Sequence, residues 1–364
     1  MRNIVFIGIV VIHGLIHLLG FLKAFELANI SELTQSITRP LGILWLIAAL
    51  LFVTTAITFA FKIDWWWAIA LVAVVLSQIL VITFWRDAKF GSIPNLLILG
   101  VVLLSLGSIA FERGYQKDIQ NSLNRTHSLP AEVVTEADIQ PLPQAVQRYL
   151  NYVGVVGKPK VSSMRAVLTG EMRENGKDYF PFTAEQYNFY DEPIRLFFMK
   201  AQMFGMTVPG YHRYIEGRAT MDVRIFGLFS VVKHAGDVMN VSDTVTLFND
   251  MCLLAPATLI DKRITWQSVD ELTAKATFTN HGISISATLY FNAEGQLVNF
   301  ISEDRWAVAD MKQYPFSTPV SNYRNINGYN LPTYGEAIWH YPDGEFIYGK
   351  IEIKDIEYNI TALK

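Results

Sequence analysis

Apolar positions along this chain change their spacing twice. From Ile4 to Phe111 they run almost unbroken, from about Pro143 to Val153 they recur every three or four residues, and from Val161 onward they alternate with polar positions. The first pattern predicts membrane helices, the second an amphipathic helix and the third half-buried strands. Within the first region four segments, about Ile4–Leu22, Leu41–Phe61, Trp65–Phe84 and Ile93–Phe111, each approach the ~20 residues that a helix needs to cross about 30 Å of hydrocarbon. Charges fall in the gaps between them: Lys23, Glu26, Glu32 and Arg39, then Lys62 and Asp64, then Arg86, Asp87 and Lys89. Trp65, Trp66, Trp67 and Trp85 flank the third segment as an aromatic belt would. Pro40 and Pro94 stand at helix starts, where a missing amide donor costs nothing. The first segment is longer than a leader's apolar core and no small-x-small cleavage pattern follows it, so it is read as a retained span.

Residues 113–142 are polar and carry Asn121, Asn124, Ser128, Pro130 and Pro141, which predicts a linker with a helical extension of the fourth span. A short amphipathic helix follows, with Val146, Leu150 and Val153 on one face and Gly154 at its end. Period-two segments then begin, among them Val161–Met172, Phe182–Tyr190, Arg195–Met203, Ala219–Ile225, Leu272–Thr279, Ile283–Phe291, Tyr334–His340 and Glu345–Ile353. Asn175-Gly176, His281-Gly282, Glu294-Gly295, Asn327-Gly328 and Asp343-Gly344 separate strands as hairpin turns do. One helix, about Val241–Leu254, interrupts them. The fold expected is an α-helical four-span membrane region (1–112), a linker (113–142) and an α+β domain (143–364) dominated by an antiparallel β-meander. Such a meander covers its apolar side by forming a barrel or an open half-barrel with covering helices.

The composition, 51% hydrophobic with 17% charged residues, averages these two regions. Net charge is −3 without a long basic run, which excludes the cationic stripe of a nucleic-acid partner. One cysteine, Cys252, provides neither a disulfide nor a paired metal site and is read as a buried thiol. Four spans place both termini on one side. Arg2, Lys62, Arg113, Lys117 and Arg125 flank span ends on that side and Lys23, Arg39, Arg86 and Lys89 on the other, a five-to-four lean toward the cytoplasm for the domain of an inner-membrane protein.

A resemblance rests on particular residues. Phe182-Thr183-Ala184-Glu185-Gln186, Tyr211 to Gly217, Leu254-Ala255-Pro256-Ala257-Thr258-Leu259, Trp266, Asp304-Arg305, Tyr323 and Pro332-x-x-Gly335-Glu336-Ala337-x-Trp339 follow one another as in a bacterial domain family of unknown function. The resemblance covers about Leu142 to Asn359, and it implies a domain found alone or behind four membrane helices. It implies no activity. The strand order is also similar, in fold type, to the half-barrel of periplasmic lipoprotein carriers, which implies a space for acyl chains between sheet and helices.

For chemistry, the chain lacks a phosphate loop, a Gly-x-Ser-x-Gly elbow, a His-Glu-x-x-His helix and a dinucleotide fingerprint, which leans away from an enzyme. No cofactor or metal site is expected, and the protein partners are left open. Phe197, Phe198, Met199, Met203, Phe204 and Met206 suit either a plain core or an adaptable apolar cavity. Glu303 and Arg305, two apart on a strand segment, and Glu336 form the best polar cluster. They would either fix a ligand's head group or stand as a surface ion pair. His13 and His17 are four apart on the first helix, Gly8, Gly14 and Gly20 mark its close packing, and Asp87 lies in a loop read as a local ion pair. The histidines fit three readings: hydrogen bonds to other helices through Ser77, Gln78 or Thr55, a proton or polar-substrate path, or a metal site. The function expected is a membrane-anchored binding module for an apolar or lipid-like ligand. The alternatives are an enzyme acting on a membrane-derived substrate, and a small transporter or sensor built on His13 and His17.

Overall fold

A computed structural model describes residues 2–126, 132–203, 205–308 and 310–364, so that Ser128, Pro130, Phe204 and the side chain of Arg2 lie outside the described residues. The chain divides into two compact units, Met1–Ala110 and Phe111–Lys364.

The first unit is helical: α1 (Arg2–Ala24), α2 (Arg39–Ala60), α3 (Trp66–Thr83), the single turn α4 (Trp85–Ala88) and the beginning of α5 (Ser92–Thr126). Four of these helices are long and apolar enough to cross a membrane. Gly14 and Gly20 of α1 let α2 approach, since a Cβ on either would collide with Phe52 or with the Trp45 ring. Gly8 faces open space, so close packing does not explain it.

The second unit starts inside α5, whose helical extension of the apolar stretch runs to Thr126. The short α6 (Glu136–Ile139) and α7 (Gln144–Val153) lead into the strands. Gly154 ends α7 with φ 79°, the left-handed cap that glycine adopts without strain. A first meander comprises β1 (Ser163–Met172), β2 (Phe180–Phe189), β3 (Ile194–Met203), β4 (Met206–Ile215), β5 (Arg218–Ile225) and β6 (Phe229–Ala235). Then α8 (Asp237–Leu253) crosses over, and β7 (Ile264–Ser268), β8 (Thr273–Asn280), β9 (Ile283–Phe291) and β10 (Leu297–Ser302) form a second meander. Short pieces follow: β11 (Trp306–Ala307), β12 (Lys312–Gln313), β13 (Phe316–Ser317), β14 (Val320–Ser321), β15 (Arg324–Ile326) and β16 (Tyr329–Leu331). The long hairpin β17 (Tyr334–Tyr341) and β18 (Gly344–Tyr358) completes the order.

Fourteen strands form one antiparallel sheet in the order β6-β5-β4-β3-β2-β1-β18-β17-β13-β10-β9-β8-β7, with β14 added beside β17. It curves as an open half-barrel with helices. The two meanders are joined through β18, β17 and β13, with β18 pairing with β1 on one side and β17 on the other. The expected meander is therefore present, longer than the segments read from the sequence and closed by a strand that is far in sequence from its partner β1.

Both faces of the first meander are covered, by different helices. Phe111, Tyr115, Ile119 and Leu123 of α5 pack on Tyr187, Phe189, Leu196 and Phe198. Asp118 accepts hydrogen bonds there from the Tyr211 hydroxyl (2.9 Å) and Arg213 Nε (2.8 Å). The opposite, concave face carries Ala184, Gln186, Arg195, Phe197 and Met199, and α8 lies over it, with Val245, Phe248, Met251 and Cys252 in the main core. Phe248 stacks on Phe278 and meets Phe300 edge-on, which ties α8 to the second meander. Cys252 is fully buried, and burial pushes its thiol well above the ordinary range.

Candidate functional site

Between α8 and the concave face the structure leaves a cavity of about 210 Å³. Its walls come from β1 to β5, α8, β17 and β18, and most of the lining is apolar, including Leu168, Met172, Phe182, Phe197, Met199 and Met221. Period two explains the choice of residues. Phe197 and Met199 of β3 face the cavity, whereas Phe198 between them faces α5. The aromatic and methionine cluster is thus divided: part of it lines a cavity and part is core on the other side of the sheet.

Into this apolar lining α8 and the sheet insert a buried polar group. Asp250 Oδ2 accepts from Gln186 Nε2 (2.7 Å), Arg195 Nε (2.7 Å) and, at 3.2 Å, Asn188 Nδ2. Gln186 Oε1 accepts in turn from Arg195 Nη2 at 3.3 Å. Two turns earlier on α8, Asp243 Oδ2 lies 2.8 Å from His212 Nε2 of β4. Asn249 Nδ2 donates to Thr318 Oγ1 (2.8 Å). Tyr214 shares a 2.8 Å bond with Thr244 Oγ1 and accepts from Asn280 Nδ2, so α8 is pinned to both meanders. Asp250 also acts on Tyr190, whose hydroxyl is pushed above its ordinary range first by burial and then by this negative charge.

Three buried polar atoms of the cavity wall have no hydrogen-bond partner among the described residues, Arg195 Nη1, Asn249 Oδ1 and His212 Nε2, and of these His212 Nε2 has the Asp243 carboxylate beside it. The Arg195 and Asn249 side chains are more than nine-tenths buried. Which amide atom of Asn249 faces Thr318 follows from the bonding pattern. Turned either way, that amide keeps one polar atom for something else.

The three charges read as one cluster from the sequence have different settings here. β10 ends at Ser302, so the alternation expected to aim Glu303 and Arg305 together does not extend to them. Glu303 is exposed. Arg305 lines the cavity, with its guanidinium carbon 3.9 Å from the centre of the Phe316 ring and 5.3 Å from that of Trp339, and Nη2 donates to the Tyr348 hydroxyl at 3.3 Å. Glu336 lies on β17 and accepts from the Tyr334 hydroxyl (2.7 Å). Burial, and next this bond, push that hydroxyl up to about 12, which keeps it a donor to Glu336 at neutral pH. Among the described residues no ion pair joins any two of the three.

In the first unit His13 and His17 are buried, and both rings are hydrogen-bonded. His17 Nδ1 donates to the His13 carbonyl (2.9 Å), which leaves Nε2 of a neutral ring to accept from the Ser77 hydroxyl (2.9 Å). Asn95 Nδ2 donates to Ser77 Oγ (2.9 Å) and to Gln78 Oε1 (3.0 Å), and Asn95 Oδ1 accepts from His13 Nε2 (2.9 Å). These residues come from α1, α3 and α5, so the histidines join three helices. Of the partners expected from the sequence, Ser77 is in the network, Gln78 is reached through Asn95, and Thr55 bonds instead to the Leu51 carbonyl. Asp87 is not a local ion pair: its carboxylate accepts from Thr34 N (2.6 Å), Thr34 Oγ1 (2.7 Å) and Gln35 N (2.8 Å), fixing the loop between α1 and α2. Among the described residues no three metal-ligating side chains come together. Ser77→Ala removes the shared partner of both rings. The expected cost is about 1–2 kcal/mol of helix-bundle stability in detergent, read by thermal unfolding.

The buried residues Arg195, Asp243, Asn249 and Asp250 were not singled out by the sequence reading. One signal was available: Asp243, Asn249 and Asp250 are polar residues in a helix whose remaining face is apolar.

A family model described as a family of unknown function (DUF6544) matches residues 132–351. No curated protein matches the chain. Among solved structures, a LolA-superfamily protein from Nitrosomonas europaea aligns with a TM-score of 0.34 and 8% identity, over 63% of this chain and 95% of that one.

Proposed function

Because the chain belongs to this family of unknown function (DUF6544), we propose its role from geometry alone: a membrane-anchored binding module that holds an apolar or lipid-like ligand between α8 and the sheet. The observation that supports this reading is the cavity itself, walled by Phe, Leu and Met side chains on five strands and a helix. Protein interiors are close-packed, and voids much larger than a water molecule are few. A cavity of about 210 Å³ is too large to be a packing defect, and it lies below the ~300–1,000 Å³ of sites for drug-sized ligands, which favours one narrow chain over a two-tailed lipid. Methionine side chains adapt to such a flexible guest.

The anchor is the set of four apolar helices, each long enough for a bilayer. The hydrogen-bonded histidines serve these helices as interhelical contacts rather than as a transport path. Membership of the family brings no catalytic role to Glu303, Arg305 and Glu336.

The test uses the full chain in phosphatidylcholine nanodiscs with a long-chain alcohol carrying a photoreactive diazirine in its tail. Cross-links mapped by peptide mass spectrometry are expected on β2 to β4 and α8, in addition to background labelling of α1 to α3. Leu168→Trp with Met199→Trp fills the cavity and is expected to remove the first set and leave the second. Labelling confined to the apolar helices in the unsubstituted protein sinks the proposal.

A further inference from the structure

The cavity wall is not uniformly apolar, and its polar atoms show what the head of the ligand must offer. The charged side chains facing the cavity are Arg195, Asp250 and Arg305, and the titratable His212 beside them is held by Asp243. Arg195 and Asp250 neutralise one another at 2.7 Å. Arg305 has no carboxylate within ion-pair distance among the described residues, although Glu303 and Asp304 are its neighbours in sequence and Glu336 lies on β17 between two lining residues. Asp304 is engaged by the Ser286 amide (2.6 Å) and hydroxyl, and Glu336 by Tyr334. Arg305 is held flat on Phe316, which fixes its position and strips water from one face of the guanidinium. A half-buried cation on an apolar wall without an opposite charge is costly, and a ligand anion would relieve that cost.

The second observation is independent of the first. Arg195 Nη1 is buried in the same wall with no acceptor, and Asn249, also in that wall, has one amide atom unpaired. A buried guanidinium N–H without a partner is rare enough to require an explanation, and an acceptor oxygen supplied by a ligand is the direct one. Two guanidinium groups thus look for oxygen, and one of them also for charge.

We infer that the cavity selects single-chain amphiphiles with an anionic oxygen-bearing head, a carboxylate or a phosphate, whose oxygens pair with Arg305 and accept from Arg195 Nη1. This rests on the reading of the cavity as an apolar-ligand site and adds the class of ligand. Hydrogen bonds to a charged group are strong enough to give about a tenfold preference over an uncharged head of the same tail.

The experiment extends the nanodisc labelling with three competitors sharing an oleoyl tail: oleate, oleoyl lysophosphatidate and monoolein. Cavity labelling is expected to be halved by at least one anionic competitor at about one-tenth of the monoolein concentration. Which of the two does so distinguishes a carboxylate from a phosphate head. Arg305→Gln is expected to reduce the preference to below about threefold. Because Arg195→Gln alone strands Asp250, the donor is removed by Arg195→Met with Asp250→Leu, which replaces the pair by apolar groups, and the same reduction is expected. Monoolein competing as well as oleate and lysophosphatidate, or a preference that survives in both variants, overturns the inference while leaving an apolar-ligand site in place. Absence of cavity labelling in the unsubstituted protein overturns both.

Discussion

Asp250→Ala is expected to lower the stability of the β-rich unit by about 3–5 kcal/mol, the cost of leaving a buried guanidinium without its counter-charge. The geometry makes the effect large. One carboxylate oxygen serves Gln186, Asn188 and Arg195, and the Arg195 and Asp250 side chains are 8% and 12% exposed. Removing it takes the acceptor from three donors on two strands at once. In thermal unfolding of the detergent-solubilised chain, followed by tryptophan fluorescence, the transition of this unit should fall by on the order of 10 °C. The companion variant, Arg195→Met with Asp250→Leu, should recover most of the loss, since exchanging a buried pair for packed apolar groups is often neutral. If Asp250→Ala melts with the unsubstituted protein, the pair is not the anchor of α8 that its geometry indicates.

The second large effect is expected from Ile353→Pro. Ile353 lies within β18, and its amide donates to the Thr333 carbonyl at 2.9 Å. Proline removes that donor, and in a strand with neighbours on both sides its ring has no free edge to occupy. In the sheet order β18, β17 and β13 lie in turn between the meanders β1–β6 and β7–β10, and β18 is the strand that pairs with β1, so damage there detaches the first meander from the rest of the sheet. The expected result is loss of the folded β-rich unit, seen as complete digestion by a protease concentration that leaves the unsubstituted protein intact. Ile353→Val, which keeps the amide, should resist digestion. Equal resistance of the proline variant contradicts the keystone role of β18.

Much of the architecture is legible in residue order, because helices and hairpins are local. Uninterrupted apolar runs specify the four long helices, and His281-Gly282 and Asn327-Gly328 have positive φ at both residues, as a tight two-residue turn demands. The inner and outer faces of the first meander are harder to read. β3, Ile-Arg-Leu-Phe-Phe-Met-Lys-Ala-Gln-Met, is nearly continuous in apolar residues because α5 covers one face and α8 the other, and a strand buried on both faces loses its alternation. Phe197 and Phe198 therefore look alike in sequence and belong to different compartments. The polar centre is illegible for another reason: Arg195 and Asp250 are 55 residues apart, and no spacing rule connects a strand residue to a helix residue across a crossover. Arg305 is singled out by its chemistry, yet its setting on Phe316 depends on the strand pairing of β13 with β10 and β17.

The place of β18 also dictates an order of events during synthesis. Lys350 bonds to Glu171, 179 residues earlier in the chain, so the edge of β1 waits unpaired while the rest of the domain is translated. Pairings over such distances form slowly, since a long loop must close before any contact rewards it. Until then the nascent first meander exposes a strand edge and an apolar concave face, the features by which chains associate wrongly. Completion of the cavity and protection from aggregation thus occur in one late step, when the last strand of the sheet leaves the ribosome and fits between its two neighbours.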